Sequence, residues 1–358
     1  MKGRSDLLDF LRWIAALAVV SGHLRSILFE DFNHNISNIL FKAIYFVTGF
    51  GHQAVIIFFV LSGYLICKSI LDKYKIRAFD MVSYFKARFT RIYIVLIPAL
   101  LLTYFLDKTG YIFDKRGIYT TCEYITSFQQ NPVSRLTFFH FLSSLFMLQN
   151  IWLPTFGSNG PLWSLAPEFW CYIIFPFLAG LVFTTRKNLR FVTYPICILL
   201  FFFLIPSWIA YYLLIWLCGL LPYLIKKQGI ILRFIAILFS SAILIYSRMN
   251  ELNFLGELVF AIAIALIISS FDDKENISIK SGFNKKIASF SYSLYLIHYP
   301  LALFILTLMD RFLISTIKVK MNSHSLFTYA IVLILVYVAS FGFARLTEYQ
   351  TERLRKII

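Results

Sequence analysis

Charged residues are scarce in this chain. Only 15% of its 358 residues are Asp, Glu, Lys or Arg, whereas 59% are hydrophobic and the mean hydropathy is +0.74. A soluble domain of this length cannot bury so many apolar side chains, and long apolar runs are typical of membrane spans. The composition therefore excludes a soluble globular protein and predicts an all-α, polytopic integral membrane protein.

Acidic residues are scarcer than basic ones. The sequence contains 18 Asp and Glu against 34 Lys and Arg, which gives a net charge of +16. Nucleic-acid-binding proteins share such an excess of positive charge. Here, however, the basic residues stand between the apolar runs, as they do in the inner loops of membrane proteins. We therefore predict no nucleic-acid partner and expect membrane lipids to surround the protein.

Cysteine is also rare, and no metal-binding pattern is present. No Cys-x-x-Cys pair occurs, and no spacing of Cys and His fits a zinc site. The cysteines are Cys67, Cys122, Cys171, Cys197 and Cys218. We expect neither a disulfide framework nor a bound metal. The N-terminal apolar run is interrupted by Asp9 and Arg12, so we do not expect a cleavable signal peptide.

About ten membrane spans can be drawn from the apolar runs. Their approximate bounds are 7–29, 51–72, 86–106, 162–184, 191–206, 208–225, 231–248, 254–271, 285–309 and 325–347. Most Lys and Arg fall in inner segments if both termini are cytoplasmic, as the positive-inside rule requires. We predict one transmembrane domain over 1–350 and a short basic cytoplasmic tail at 351–358. The apolar segment at about 138–150 is too short to span, which favours an interfacial or re-entrant position.

The first span carries ionisable side chains, which are costly in hydrocarbon. Arg12 and His23 lie eleven residues apart. On a helix, this spacing is about three turns and a rise of about 16 Å along one face. Ionisable groups inside a membrane mark functional sites by default, and neutral imidazole is the usual general base near neutral pH. We therefore predict His23 as the centre of the site, the alternative being a histidine hydrogen-bonded inside a helix bundle.

Two further segments have a structural and a functional interpretation each. Ser62–Gly63, in the second span, is either a packing notch for another helix or an approach path for a ligand chain. Arg88 and Arg91 are one turn apart at the cytoplasmic edge of the third span. They either anchor this span by positive charge or clamp phosphate together with Arg12.

The fourth and ninth spans each contain one ionisable candidate residue. Glu168 is either an interfacial carboxylate in water or a group that orients His23 or binds a substrate hydroxyl. His298 lies in the ninth span, in the segment SYSLYLIHYP. The alternative for His298 is a structural histidine whose ring is hydrogen-bonded within the core, with Tyr295 and Tyr299 as candidate partners.

Five segments follow one another along the chain: RSDLLDFLRWIAALAVVSGH, FFVLSGYLI, KARFTRIYIVLIPAL, WSLAPEFW and SYSLYLIHYP. In this order they resemble the membrane acyltransferase family called acyltransferase 3, which includes O-acetyltransferases of bacterial surface polysaccharides. The resemblance covers about 5–347. It places the family's Arg–ten residues–His pattern on Arg12 and His23, and its WSLxxE motif on the segment that ends at Glu168.

The resemblance implies transfer of an acyl group, usually acetyl from cytoplasmic acetyl-CoA, to a sugar hydroxyl outside the membrane. It favours a sugar such as that of lipopolysaccharide O-antigen and a place in the bacterial inner membrane. His23 is then the general base or a transient acyl carrier, and Glu168 is the second catalytic residue. The residues assigned to acyl-CoA are Arg12, Arg88, Arg91 and Ser62. Those assigned to substrate binding or support of the site are Asp9, Asn150, Trp163, Ser164, Tyr295 and His298.

Three positions depart from the family pattern, and one alternative function stays open. Trp13, Ile56 and Pro167 replace residues common in the family, and Ile56 removes a carboxylate from the second span. The alternative is a multispan transporter or flippase for a lipid-linked glycan or small molecule, which would also carry intramembrane charges. Transporters often show inverted repeats and interrupted helices in matching halves, and we find neither in this sequence.

Overall fold

The computed structural model describes residues 3–33, 36–121, 131–225, 229–271 and 281–357. Within these ranges the chain forms helices and no strands, apart from two isolated backbone bridges. The α-helices are α1 (Gly3–Leu28), α2 (Ile39–Val47), α3 (Gly51–Lys75), α4 (Met81–Phe113), α5 (Phe138–Leu145), α6 (Leu165–Phe183), α7 (Tyr194–Leu204), α8 (Ser207–Leu217), α9 (Leu221–Leu224), α10 (Ile230–Ser247), α11 (Phe254–Ser269), α12 (Ser281–Ala288), α13 (Ser291–Phe312), α14 (Ser323–Leu346) and α15 (Thr351–Ile357). The prediction of an all-α protein is confirmed.

Eight helical segments of the described chain are long and apolar enough to cross a membrane. They are Arg4–Leu28, Ile39–Lys75, Met81–Phe113, Gly160–Phe183, Ser207–Leu224, Ile230–Ser247, Ser291–Phe312 and Ser323–Lys356. The predicted spans at 191–206 and 254–271 coincide with shorter apolar helices, Leu189–Leu204 and Phe254–Ser269. The polytopic membrane architecture is thus confirmed. The total of about ten spans and the cytoplasmic position of both termini stay predictions.

Two segments that were not predicted as membrane spans, at about 138–150 and 351–358, also contain helices. Helix α5 covers the first eight residues of the segment at 138–150. It is about 12 Å long, which is too short to cross the hydrocarbon layer, and its interfacial or re-entrant position stays a prediction. Helix α15 covers most of the basic tail, while Ile358 and the loop residue Cys122 lie outside the described residues. The single domain over 1–350 stays a prediction.

The chain divides into two compact units. Unit 1 consists of Met1–Ala15, His52–Arg88 and Ser164–Ala288, and unit 2 of Ala16–Gly51, Phe89–Trp163 and Ser289–Ile358. In unit 1, α10 packs against α11, and α6 packs against α7 and α8. In unit 2, α13 packs against α14. Each unit buries large side chains of its own, among them Trp216 in unit 1 and Tyr299 in unit 2.

Side-chain caps explain where several helices begin. The side chain of Asn322 accepts a hydrogen bond from the backbone N–H of Ser325, and the Ser325 hydroxyl accepts one from the N–H of Asn322. This capping box starts α14. Asn38 and Asn253 likewise accept bonds from first-turn N–H groups of α2 and α11. The caps satisfy donors that the first turn of a helix leaves without partners.

Glycine is required where α3 approaches the end of α8 in unit 1. A β-carbon at Gly63 would stand 2.0 Å from the carbonyl oxygen of Trp216, and one at Gly219 would stand 2.4 Å from the backbone nitrogen of Tyr64. The two backbones can approach so closely only because both residues lack side chains. The interpretation of Ser62–Gly63 as a packing notch therefore has a structural basis.

We expect Gly63→Ala to lower the yield of folded protein, because the opposing atoms are backbone and cannot move aside. Overpacking of this kind typically costs about 1–3 kcal/mol. The matched control is Gly342→Ala in α14, where a β-carbon would meet no atom within 4 Å. Size-exclusion chromatography of detergent-solubilised variants measures the effect. Equal monodisperse yields for the two variants would contradict the expectation.

Candidate functional site

In unit 2, His23 on α1 lies beside two aromatic side chains of α13. The imidazole centroids of His23 and His298 are 5.4 Å apart, with 34° between the ring planes. The ring of Tyr299 meets His23 edge-on, with 5.3 Å between centroids. Among the described residues, none forms a hydrogen bond with the ring nitrogens of His23. The structure therefore brings together two histidines that the sequence singled out separately.

His298 is held through one of its ring nitrogens. Its Nδ1 lies 2.8 Å from the carbonyl oxygen of Tyr295 and 3.2 Å from that of Leu294. A carbonyl oxygen only accepts, so Nδ1 carries the proton and Nε2 keeps a lone pair in the neutral ring. Nε2 is buried and has no hydrogen-bond partner in the described part of the chain. The imidazole thus combines a fixed orientation with an unpaired acceptor.

The turn-rich segment at 155–163 has a fixed structure within unit 2. Asp107 on α4 accepts hydrogen bonds from the backbone N–H and the hydroxyl of Ser158, both at 2.6 Å. The hydroxyl of Tyr295 donates to the carbonyl oxygen of Pro161 at 3.0 Å. Tyr295, predicted as a supporting residue, therefore ties this segment to the helix turn that holds His298.

In unit 1, Glu168 near the start of α6 ends a chain of hydrogen bonds. The hydroxyl of Tyr172, one turn later, donates to Oε1 of Glu168 at 2.5 Å. The same hydroxyl lies 2.9 Å from Oγ of Ser62, and Nε1 of Trp216 donates to that Oγ at 3.2 Å. Because an indole N–H only donates and a carboxylate only accepts, the bonds run in one direction toward Glu168. Ser62 and Glu168, assigned from separate motifs, belong to one network.

Arg12 and Arg88, both in unit 1, differ in the partners of their guanidinium groups. Arg12 forms an ion pair with Asp9, one turn earlier on α1, at 3.1 Å. The guanidinium carbon of Arg88 lies 6.0 Å from the ring centroid of Tyr84. The buried Nε of Arg88 has no hydrogen-bond partner within the described ranges. Arg88 therefore keeps one guanidinium donor that the described residues do not use.

Arg91, in unit 2, has a structural partner. It lies 3.6 Å from Oε1 of Glu348, which is almost fully buried. The other carboxylate oxygen of Glu348 accepts hydrogen bonds from the backbone N–H and the hydroxyl of Ser293, at 3.0 and 2.9 Å. Part of the charge of Arg91 is thus used to balance a buried carboxylate near the start of α13.

The remaining predicted residues occupy less central positions. Asn150 is exposed, has a positive φ of 58° and donates its backbone N–H to Leu153 at 2.7 Å. No hydrogen bond joins Asn150 to the other described residues predicted for the site. Trp163, in unit 2, is half-buried in the short turn Gly160–Ser164. Ser164 is buried and precedes α6 without capping it through its side chain.

Tyr172 and Trp216 were not assigned from the sequence. Tyr172 could have been found, because residues four apart on a helix lie on the same face, which places it beside Glu168. Trp216 stands 154 positions from Ser62, so no local pattern joins them. Only the tertiary structure shows that the indole begins the network that ends on Glu168.

The residues that the structure describes form no metal centre. They contain no group of three or more His, Cys, Asp or Glu side chains that could hold a metal ion. Cysteines that the structure describes as free thiols are Cys67, Cys171, Cys197 and Cys218.

Comparisons with known proteins give a consistent picture. A family model described as an acyltransferase domain matches residues 6–345. An O-acetyl transferase of Shigella phage Sf6 is 32% identical over 177 residues, which are 48% of this chain and 45% of that protein. Acyltransferase MdmB of Streptomyces mycarofaciens is 30% identical over 184 residues, which are 50% of this chain and 40% of that protein. The matched region thus spans less than half of each of these relatives, and no solved structure matches the chain.

Proposed function

This chain belongs to the acyltransferase domain family, and from that premise we propose that it is a membrane O-acyltransferase. The proposed donor is cytoplasmic acyl-CoA, with acetyl as the favoured group. The proposed acceptor is a hydroxyl of a lipid-linked or surface sugar, such as lipopolysaccharide O-antigen, on the outer side of a bacterial inner membrane. The observation that carries the proposal is the family match across 6–345, together with the similarity to an O-acetyl transferase.

We assign proton transfer to His23. Its ring nitrogens are free of hydrogen bonds to the described residues, and it stands on a helix apolar enough to span a membrane. In a direct route, the acceptor oxygen attacks the thioester carbonyl while its proton passes to His23. The C–S bond then breaks, and the departing thiolate receives that proton. In a covalent route, the imidazole nitrogen attacks the thioester carbonyl first, the C–S bond breaks, and the departing thiolate takes the proton of the acylated ring. The acceptor oxygen then attacks the acyl group, the N–acyl bond breaks, and the hydroxyl proton passes to the released imidazole.

Glu168 is assigned to the acceptor. Its Oε1 is held by the Tyr172 hydroxyl, while Oε2 has no hydrogen-bond partner in the described chain. A carboxylate fixed in this way can accept a hydrogen bond from a sugar hydroxyl or from an imidazolium, as the sequence predicts. The network through Ser62 and Trp216 supports this assignment, because it restrains the carboxylate before any ligand binds.

The arginines are assigned to the phosphates of acyl-CoA. Guanidinium groups suit phosphate oxygens because their N–H donors form a planar fork. Arg12 and His23 share α1, along which their spacing is a rise of about 16 Å, a distance that a pantetheine arm can bridge. Of the three predicted arginines, Arg88 has the unpaired buried Nε, whereas Arg12 and Arg91 form ion pairs.

We expect Arg88→Gln to raise the KM for acetyl-CoA by about ten-fold and to leave kcat nearly unchanged, because one charge-assisted bond to phosphate is lost from substrate binding. Arg91→Gln, one turn later, is the comparison, because part of the charge of Arg91 is already balanced by Glu348. Since Arg91 balances the buried Glu348, we expect Arg91→Gln to lower the yield of folded protein. We also expect it to raise the KM for acetyl-CoA by less than Arg88→Gln does. Initial rates at varied acetyl-CoA concentration measure both effects. An unchanged KM for Arg88→Gln would remove this residue from donor binding.

The function itself is tested by supplying acetyl-CoA with a radiolabelled acetyl group to inverted membrane vesicles that contain the protein and an acceptor polysaccharide. An O-acyltransferase incorporates the label into the polysaccharide, and mild alkali releases it again. A transporter or flippase changes the sidedness of the glycan without incorporating label. Label incorporation that equals that of vesicles lacking the protein would contradict the proposal.

A further inference from the structure

Three prolines stand in the interior of described helices, beyond the first turn: Pro98 in α4, Pro176 in α6 and Pro300 in α13. Proline has no N–H, so each one leaves the carbonyl group four residues earlier without its helical donor. The carbonyl groups concerned are those of Ile94, Tyr172 and Leu296. In an apolar environment such a group needs another donor, because an unsatisfied buried carbonyl is costly.

Two of the three freed carbonyl groups receive a side-chain donor. Nδ2 of Asn159 donates to the carbonyl oxygen of Leu296 at 2.8 Å, within unit 2. The hydroxyl of Tyr84 donates to the carbonyl oxygen of Tyr172 at 3.1 Å, within unit 1. At Ile94, no side-chain donor is found among the described residues. The two side-chain donors therefore act on the helix turns that carry His298 and Tyr172.

The Asn159 bond acts on the helix turn that carries His298. Leu296 and Pro300 flank His298 in the sequence, so the freed carbonyl group belongs to the turn that orients the imidazole. On the same turn, Nδ1 of His298 donates to the carbonyl oxygens of Leu294 and Tyr295. The backbone bonding of this turn therefore departs from that of a regular α-helix and depends on side chains.

Asn159 itself is held rigidly enough to define the position of that turn. The second hydrogen of its Nδ2 is donated to Oγ1 of Thr103 on α4 at 3.1 Å. The preceding Ser158 is bonded twice to the buried Asp107. All of these residues are buried. The side-chain amide thus links α4 to the interrupted turn of α13 with both of its hydrogens used.

We propose that Asn159 is a positioning residue whose side-chain amide replaces the N–H missing at Pro300 and thereby holds His298 beside His23. Tyr84 supplies the corresponding donor at Pro176 for the turn that carries Tyr172. The activity readout of this proposal rests on the proposed acyl transfer, whereas the bonding itself does not. The two parts are therefore tested by separate measurements on the full-length protein.

The test is a double-mutant cycle between residues 159 and 300. Asn159→Ala removes the donor, and Pro300→Ala restores a backbone N–H for Leu296. In the wild-type background, we expect Asn159→Ala to lower kcat by about 10- to 100-fold and to leave the KM for acetyl-CoA unchanged. In the Pro300→Ala background, we expect Asn159→Ala to lower kcat by no more than about three-fold. Pro98→Ala combined with Asn159→Ala is the control, because that proline faces no donor from Asn159.

Hydrogen exchange of α13, followed by mass spectrometry, gives a readout that needs no activity. We expect the amides that follow Leu296 to exchange faster in Asn159→Ala than in the wild type. In the double variant, their exchange should be close to that of the single Pro300→Ala variant. Thr103→Val removes the other partner of Asn159 but keeps the bond to Leu296, so it should raise this exchange less than Asn159→Ala does. Equal effects of Asn159→Ala in both backgrounds, in exchange and in kcat, would overturn the proposal. Coupled exchange without any acetyl transfer by the wild type would overturn only the proposed function.

Discussion

Replacing His23 by alanine is expected to lower the rate of acyl transfer by about a thousand-fold, because a positioned general base contributes rate factors of that order. The loss should appear in kcat, since the donor is bound elsewhere. His52→Ala is the matched control, because His52 pairs with Glu257 at 2.6 Å in unit 1 and has no assigned role in the reaction. Initial rates at matched amounts of folded protein measure the difference.

A second variant separates loss of chemistry from loss of structure. His23→Gln keeps a polar side chain near His298 but cannot exchange protons near neutral pH, so it should be as inactive as His23→Ala. Mass spectrometry of wild-type protein quenched without acceptor distinguishes the two routes, because only the covalent one leaves an acyl group on His23. Transfer within ten-fold of the wild-type rate in a well-folded His23→Gln protein would remove His23 as base and carrier.

Replacing Glu168 by glutamine is expected to lower kcat by about a hundred-fold, because the charge that favours the acceptor proton or the imidazolium is lost. The amide oxygen of glutamine can still accept the Tyr172 hydroxyl bond, so the fold of unit 1 should persist. The yield of folded Glu168→Gln protein should therefore equal that of the wild type. The KM for acetyl-CoA should also stay within about three-fold of the wild-type value.

Removal of the supporting bonds should cost less than removal of the charge. Tyr172→Phe leaves Glu168 charged but frees its Oε1, and Ser62→Ala interrupts the network one step earlier. We expect a loss of about ten-fold for Tyr172→Phe, because it removes a charge-assisted bond to the carboxylate. For Ser62→Ala we expect about three-fold, because only bonds between neutral groups are removed. A kcat for Glu168→Gln equal to that of wild type, or higher than that of Ser62→Ala, would contradict the role of its charge.

The sequence was most informative where placing a polar or ionisable group in hydrocarbon costs free energy. Apolar runs predicted the helices, since only long helices satisfy their own backbone in hydrocarbon. The same cost made His23 and Arg12 visible, because each interrupts an apolar run. The resemblance supplied the family, which the match across 6–345 shows. These inferences needed only local spacing or motif order.

The sequence was least informative about which polar groups satisfy one another. The bond from Asn159 to Leu296 joins positions 137 apart, and proline chemistry alone does not say which side chain replaces the missing donor. Arg91 was predicted as part of a phosphate clamp, yet its ion pair with Glu348 links α4 to a turn that follows α14. Such pairings depend on how helices pack, and no periodic pattern encodes them.

The most direct test of His23-dependent acyl transfer is mass spectrometry of surface polysaccharide from cells that express wild-type or His23→Ala protein at matched membrane levels. We expect one added acetyl group per modified sugar with the wild type and none with His23→Ala. An increment that survives in His23→Ala, or no increment with well-expressed wild type, would contradict it.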